Sequence, residues 1–325
     1  MLKLARRTVA LLGCVAMLGA SPVIAQDAAA NYPDKPIRLI VPYPAGGATD
    51  ILARMMAQKF QEEWKQPMIV ENRSGAGGTI GANQVAKADP DGYTVLFSIT
   101  AMVQQISLMN LPYDPLKDFI PLTQVAVSTS VLAVPQSVPA NTLPELIDHV
   151  KSQPGNHTYG TYGAGTSSHL QGALLNLQAG TDLTHVPYQG AAPLVTAMMG
   201  DQLTATFFDA GSSRQHLPKF KLLAVTGPER LAWLPEVPTL KELGMHSFEP
   251  RGWFALFMPK GTPEAIADKF TAEAQKILKM PDVRERIEAL GLIPGGMPRA
   301  EFGPFLEAEA KVYADIIRET NITLN

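Results

Sequence analysis

The chain has 325 residues, of which 46% are hydrophobic and 18% are charged, and its formal charge is −3 at pH 7. This slightly acidic balance argues against nucleic acid as a partner, since nucleic-acid binding needs a basic surface. The single cysteine, Cys14, excludes an intrachain disulfide and a thiolate metal site.

The first 25 residues predict a cleaved signal peptide. Lys3, Arg6 and Arg7 precede an apolar run over 8–20, and the segment ends in Val-Ile-Ala at Ala25. The run is too short to span a bilayer, so we expect export and cleavage near Ala25. Cleavage would remove three cationic residues and the only cysteine, leaving a formal charge of −6.

A lipid anchor at Cys14 is the alternative for this segment, because Leu-Leu-Gly-Cys at 11–14 resembles a lipoprotein cleavage box. Only about six residues separate Arg7 from Cys14, and the apolar run continues beyond the cysteine. Both features favour the ordinary signal peptide.

The mature chain opens with a first block of alternating strands and helices. The predicted elements are strand 37–41, helix 50–64, strand 68–71, helix 79–88 and strand 93–98. An irregular stretch follows at 111–119, where Pro112 and Pro115 exclude a continuous helix. An apolar run at 125–134 leads into a second block.

The second block repeats the alternation. Its predicted elements are helix 143–152, strand 157–162, helix 167–179, strand 183–187, helix 191–200, strands 203–208 and 221–226, and a short helix ending at Gly244. Strand 253–258 and helices 263–278, 282–290 and 299–319 complete the chain. The pattern predicts an α/β fold in which mainly parallel sheets are flanked by helices.

The terminal helices lack a sheet of their own, so we expect them to pack on the first block. The chain would then cross between two domains near 124–134 and near 247–256, and two crossings make a hinge. The predicted domains are residues 33–126 with 250–325, and residues 127–249. A ligand is expected in the cleft between them, at the carboxyl ends of the strands.

The segment Ile37–Arg54 predicts an anion site. A buried strand runs into Pro42, Pro44 and two glycines, and a helix follows that Thr49 or Asp50 could cap. The N–H groups at a helix start and the positive end of the helix dipole favour a carboxylate or phosphate. An ordinary strand-to-helix turn that binds nothing is the alternative.

The segment Tyr159–Gly172 has the same architecture. Gly163 and Gly165 follow a strand, and Thr166, Ser167 and Ser168 can cap the next helix or donate hydroxyl protons outward. A plain Ser/Thr cap is the alternative reading. Two such turns at corresponding places of two blocks favour a pair of anion-binding loops.

Other chemistries find little support. The glycines at 75–81 miss the dinucleotide spacing, the six histidines show no paired metal-ligand spacing, and no serine lies in a GxSxG motif. We therefore expect no cofactor, no metal and no enzymatic activity. Asp209 follows a strand and could contact ligand or cap the backbone at Ser212 and Ser213.

Nearly the whole mature chain resembles the Bug receptors, the substrate-binding proteins of tripartite tricarboxylate transporters. The motifs that carry the resemblance are, in order, YPDKPIRLIVPYPAGGATDILAR, PMIVENRSGAGGTIGA, LPYDPLKDF, YGAGTSSHL, VPYQGAAP, the FFD strand end, LLAVTGPER, LPEVPTL and MPKGTPEAI. The resemblance implies a periplasmic, two-domain type II binding protein that closes on a small carboxylate. It also implies a monomer that delivers its ligand to two integral membrane subunits, without catalysis.

Transferred by position, the resemblance implies two ligand loops. The first comprises Tyr43, Ala45, Gly46, Gly47, Ala48 and Thr49, with Asp50 supporting the turn, and the second comprises Gly163, Gly165, Thr166, Ser167, Ser168 and His169, with Tyr188 and Asp209 at the cleft. Ser98, Thr100 and Ala101 would line the pocket. Met102 and Gln104 depart from the small residues and Asn-Pro pair that are usual there, which leaves the far end of the ligand open.

Two other functions remain as alternatives. A sensory binding protein would present its loaded form to a membrane kinase instead of a carrier. A periplasmic enzyme that processes carboxylates would need a nucleophile or base that the sequence does not show.

Overall fold

The computed structural model describes residues 29–248 and 251–323, and the predicted signal peptide with Cys14 lies outside the described residues. The strands are β1 (Ile37–Val41), β2 (Met68–Asn72), β3 (Thr94–Ile99), β4 (Phe119–Ser128), β5 (Ser130–Val134), β6 (Thr158–Thr161), β7 (Thr184–Pro187), β8 (Ala205–Asp209), β9 (Lys221–Val225), β10 (Gly252–Pro259) and β11 (Ile293–Pro294). The helices are α1 (Ala48–Trp64), α2 (Thr79–Ala86), α3 (Ala101–Gln104), α4 (Leu143–Ser152), α5 (Ser167–Ala179), α6 (Ala191–Met199), α7 (Glu264–Leu278), α8 (Pro281–Ala289) and α9 (Arg299–Thr320).

The strands form two sheets, and the strands of the two predicted blocks lie in different sheets. The first has the order β11-β4-β10-β3-β1-β2, and the second has the order β7-β6-β8-β5-β9. The apolar side chains of β1, and those of β3 as far as Phe97, are fully buried, as expected for strands covered on both faces. The terminal helices pack on the first sheet, where Phe270 of α7 meets Phe60 of α1 with ring centroids 4.5 Å apart.

Both sheets are mixed, whereas mainly parallel sheets were predicted. β1 is parallel to β2 and β3, but β10 runs antiparallel to β3 and β4. In the second sheet β6 is parallel to β7 and β8, and β5 is antiparallel to β8 and β9. β10 and β5 are the strands that enter from the other sheet, and they arrive without the helical crossover that a parallel neighbour requires. The short strand β11 also runs antiparallel to β4.

The chain passes from one sheet to the other at Thr129, the single residue between β4 and β5. Thr129 is buried, and its carbonyl accepts the N–H of Ala210 at 2.8 Å. The return passage lies between the end of β9 at Val225 and the start of β10 at Gly252. Two connections of this kind are what a hinge between two halves requires.

The bounds of most elements lie within two residues of the prediction, but the short helix ending at Gly244 is wrong. Residues 240–244 form a turn instead. The backbone N–H of Glu242 donates to Thr239 Oγ1 at 3.0 Å, and the Glu242 carboxylate accepts the N–H of Thr239 at 2.9 Å. This capping box closes one turn, and Gly244, at φ +82°, ends it before a helix can extend.

Within residues 29–248 and 251–323, none of the helices combines the length and the apolar character that crossing a membrane would require.

Candidate functional site

The first loop, residues 43–49, joins β1 to α1 and leaves backbone N–H groups available. Residues 44–47 are exposed. The N-cap of α1 is Gly47, so the prediction of a cap at Thr49 or Asp50 is wrong by two or three residues. Because glycine has no side chain, it leaves the first N–H groups of the helix without a capping hydrogen bond. Ala48 is the first helical residue, and Thr49 is buried behind it. The loop therefore presents a helix start to solvent.

Asp50 holds the first loop in shape. Its carboxylate accepts the N–H of Gly46 at 2.9 Å and hydrogen bonds from Asn72 and Arg54 at 3.0 Å. Asn72 also donates to the carbonyl of Tyr43 at 3.0 Å. Burial alone would raise the pKa of Asp50, but these bonds lower it below its ordinary value. Asp50 is thus an ionised support inside the loop, which agrees with the role that the resemblance implies.

Tyr43 forms one wall of the first loop. Its hydroxyl lies beside the buried side chain of Ser98, at the end of β3, and burial raises the pKa of the phenol. The ring also covers Gly78, where a Cβ would come within 2.8 Å of the Tyr43 oxygen. The glycine-rich segment thus supports the ligand loop by allowing close packing against Tyr43.

The second loop, residues 163–169, joins β6 to α5 and uses two of its three hydroxyls internally. Thr166 Oγ1 donates to the carbonyl of Gly163 at 2.7 Å, and Ser168 Oγ accepts the N–H of Tyr162 at 3.1 Å. Thr166 is the cap residue, but its side chain does not cap the helix. The prediction that these residues cap the helix or donate outward is therefore wrong for Thr166 and Ser168, whose hydroxyls bond within the turn. Only Ser167 is left to face the other half of the molecule.

His169 is a neutral hydrogen-bond donor beside this loop. Its Nδ1 accepts the N–H of Gly165 at 3.0 Å, so the neutral ring carries its proton on Nε2. The ring stacks on His185 with centroids 3.8 Å apart. Burial and then the neighbouring His185 lower the pKa of His169 to about 4, which keeps the ring uncharged at neutral pH.

Gln104 joins the segment 98–104 to the second loop, and sequence reasoning did not select it. Its Nε2 donates to Ser167 Oγ at 2.9 Å, and the side chain is 1% exposed. Gln104 lies on α3, six residues after the Ser98 that contacts Tyr43, so the segment 98–104 contacts both loops. The sequence did contain a signal for Gln104: it stands where the Bug receptors usually have small residues and an Asn-Pro pair. A buried amide at such a place needs hydrogen-bond partners.

The remaining predicted site residues are placed around this segment. Thr100 Oγ1 accepts the N–H of Trp253 at 2.6 Å, and Ala101 begins α3. The N–H of Tyr188 donates to the carbonyl of Thr161 at the end of β6. Asp209 Oδ1 accepts the N–H of Ser212 at 2.8 Å, which is the capping alternative for that residue.

In the part of the chain that the structure describes, no three His, Cys, Asp or Glu side chains gather in a way that could hold a metal ion. Arg54 is engaged with Asp50 and with Asn72 Oδ1, the latter at 3.0 Å. The chemistry offered by the two loops is therefore that of backbone N–H groups, hydroxyls and one neutral imidazole.

The amino-acid sequence matches a known family. The model of the tripartite tricarboxylate transporter family receptor matches residues 52–322. The chain belongs to this receptor family. A receptor family of a transporter binds solutes, and the resemblance to the Bug receptors is confirmed.

Relatives within the receptor family support the same fold. BugT of Bordetella pertussis (strain Tohama I) is 32% identical over 324 residues, which cover 98% of either protein. An R. palustris protein solved with adipate has a TM-score of 0.80 at 29% identity, over 90% of this chain and 100% of that one. MatC from Rhodopseudomonas palustris, solved with bound malate, has a TM-score of 0.74 at 30% identity, over 88% and 100%. The predicted α/β periplasmic binding protein fold with two domains is confirmed.

Proposed function

We propose that this receptor is an exported, periplasmic and monomeric protein that captures a small organic carboxylate between its two halves. We further propose that it delivers the ligand to two integral membrane subunits of a tripartite carrier. The observation that carries the proposal is the pair of helix starts, at Gly47 and Thr166, that lie on either side of the segment 98–104.

Two helix starts can hold carboxylate groups without an ion pair. α1 has 17 residues and α5 has 13, so each has a complete helix dipole behind its loop. One terminus contributes roughly 0.3–1 kcal/mol for an anion, and up to about 2 kcal/mol when partly buried. Direct hydrogen bonds to charged groups add about 1.5–3 kcal/mol each. A ligand with a carboxylate at each end gains from both loops at once.

The proposed contacts divide the predicted residues into two groups. The backbone of residues 45–49, the Ser167 hydroxyl, His169 Nε2 and Tyr188 contact the ligand in this proposal. Tyr43, Asp50, Ser98, Thr100, Ala101, Gly163, Gly165, Thr166, Ser168 and Asp209 shape the loops and the pocket, since most of their polar groups already have partners.

The domain division, residues 33–126 with 250–325 against residues 127–249, is part of the proposal. The change of sheet at Thr129 supports a first boundary close to residue 126. Closure is then a rotation about Thr129 and the 225–252 connection, and the ligand favours the closed form by its extra contacts there.

A thermal-shift series tests carboxylate capture. Malate and adipate are the first probes because two solved relatives contain them, and citrate, glucose and benzylamine complete the panel. A ligand at 100 times its Kd stabilises the folded protein by about 2.7 kcal/mol, which raises the Tm by several degrees. If no carboxylate raises the Tm while the sugar or the amine does, the proposal is wrong.

Gly47→Val identifies the site of binding. Gly47 has φ −78°, and the nearest atom to an added Cβ is 3.9 Å away, so the fold accepts a side chain there. The valine would cover the helix start and should abolish the thermal shift while the Tm of the free protein stays unchanged. Gly200→Val is the matched control, at φ −92° on the far end of α6, and should keep the shift. Ser167→Val should also abolish the shift.

A further inference from the structure

A cavity lies at the hinge, and neither of the two ligand loops lines it. Its volume is about 490 Å³, within the range of small-molecule sites. Residues from β4, from the return passage and from α9 line it, and none of residues 43–49 or 163–169 does so. We refer to it as the hinge cavity. The residues used below are Arg251, Trp253, Met297, Phe305, Ala308 and Glu309.

Arg251 brings a positive charge to the wall of the hinge cavity. Its Nη2 donates to Glu229 Oε1 at 3.3 Å, but its Nε is buried without a hydrogen-bond partner. The guanidinium lies against Gly227, where an added Cβ would come within 2.6 Å of Nε. Nε is packed against Gly227 and is not accessible from the cavity, so Arg251 acts on a ligand through the positive charge of the rest of its guanidinium.

Glu309 brings a second polar group, and it is 6% exposed. Its Oε2 accepts the indole N–H of Trp253 at 2.6 Å. Burial raises the pKa of this carboxyl to about 8, so it keeps its proton at neutral pH and can donate an O–H bond. The cavity thus offers hydrogen-bond donors and no negative charge from Glu309, which disfavours a cationic ligand.

The rest of the wall is mostly apolar. The indole of Trp253 is almost fully buried, and Met297 and Phe305 are half-buried beside it. A ligand that reached Arg251 would lay its other atoms against these side chains. An apolar body is therefore matched here, whereas a second charged group would lose its hydration without a partner.

We propose that the hinge cavity is a second binding site, which takes a small monocarboxylate with an apolar body. The carboxylate pairs with the guanidinium of Arg251, and the body packs on Trp253, Met297 and Phe305. This site is independent of the proposed carboxylate site between the two loops.

Fluorine NMR with 5-fluorotryptophan tests the proposal on the mature protein. The chain has three tryptophans, Trp64, Trp233 and Trp253. The two that do not line the hinge cavity, Trp64 and Trp233, are internal controls. Trp64→Phe and Trp233→Phe assign the signals. Benzoate should move the Trp253 signal in a saturable manner and leave the other two unchanged, and benzylamine should move none of them.

Two variants of the hinge cavity and two controls locate the response. Arg251→Met should weaken benzoate binding by at least about tenfold, and Ala308→Phe should block the cavity from an exposed helix position that tolerates a larger side chain. Arg284→Met, on the exposed face of α8, should have no effect. Gly47→Val, which covers the first loop, should leave the Trp253 response intact. The proposal is wrong if benzoate gives no saturable shift, if benzylamine gives an equal one, or if Gly47→Val abolishes it.

Discussion

Glu309→Gln tests whether a protonated carboxyl is buried beneath the hinge strand β10. Glu309 is 6% exposed, its Oε2 accepts the Trp253 indole N–H, and burial raises its pKa from 4.5 to about 8. Glutamine has nearly the same size and keeps an acceptor for the indole, but it cannot ionise. The substitution therefore changes the pH dependence of stability and leaves the packing in place.

The magnitude follows from the two pKa values. The carboxyl holds its proton up to about pH 8 in the folded chain and releases it near 4.5 when unfolded. Between these values unfolding releases a proton, so the free energy of unfolding falls by about 1.4 kcal/mol per pH unit. The contribution of the protonated Glu309 carboxyl to the free energy of unfolding is complete below pH 4.5 and is lost as the pH rises through 8. The total loss is up to about 4–5 kcal/mol.

Urea unfolding at about pH 5, 7 and 9 measures this difference. The wild type should lose stability relative to Glu309→Gln as the pH rises across this window. Glu307→Gln is the matched control, because Glu307 is exposed on the same helix, and it should keep the wild-type pH dependence. Parallel pH profiles for the wild type and Glu309→Gln would refute the reasoning.

Three further substitutions test the loops and their connection. Gly46→Ala should lower the free energy of unfolding in urea by about 1–2 kcal/mol, because Gly46 has φ +86°, where an L-residue is strained. Steric contact is not the cause, since nothing lies within 4 Å of an added Cβ. Gly47→Ala, at φ −78°, should leave the free energy of unfolding unchanged. Asp50→Asn should lower the free energy of unfolding by about 1–3 kcal/mol at neutral pH. The difference from the wild type should shrink in acid, because the wild type loses its ionised carboxylate as the pH falls through the lowered pKa of Asp50. Gln104→Leu should weaken malate binding by up to about tenfold in calorimetry, because Ser167 loses its partner; equal affinity would contradict the connecting role.

The order of helices and strands was predictable because the periodicity of hydrophobic residues and the turn residues both reflect local structure. α4 and α5 have the predicted bounds, 143–152 and 167–179, since Thr142 precedes the first helix and Thr166 and Gly180 flank the second. Short elements were not predictable. α3 has four residues and β11 has two, which is less than one period of any pattern.

The position of the two loops was also predictable, but the use of their side chains was not. A Gly-rich turn before a helix predicts an exposed helix start, and Gly47 and Thr166 are such starts. Whether a hydroxyl points outward or inward depends on partners distant in sequence or across the turn. Thr166 and Ser168 bond within their own loop, and Ser167 bonds to Gln104, 63 residues earlier. No local pattern encodes that choice.

The Gln104–Ser167 hydrogen bond also indicates how much of the free energy of the proposed closure comes from the protein without ligand. In the proposed mechanism an open form must break this bond between α3 and the second loop and expose both groups to water. A neutral hydrogen bond contributes about 0.5–1.5 kcal/mol net, which changes the ratio of closed to open forms by about two- to tenfold. Moving a population from 1:99 to 99:1 needs about 5.5 kcal/mol. The bond therefore orients Ser167 for the ligand, and most of the closing free energy must come from carboxylate contacts with both loops.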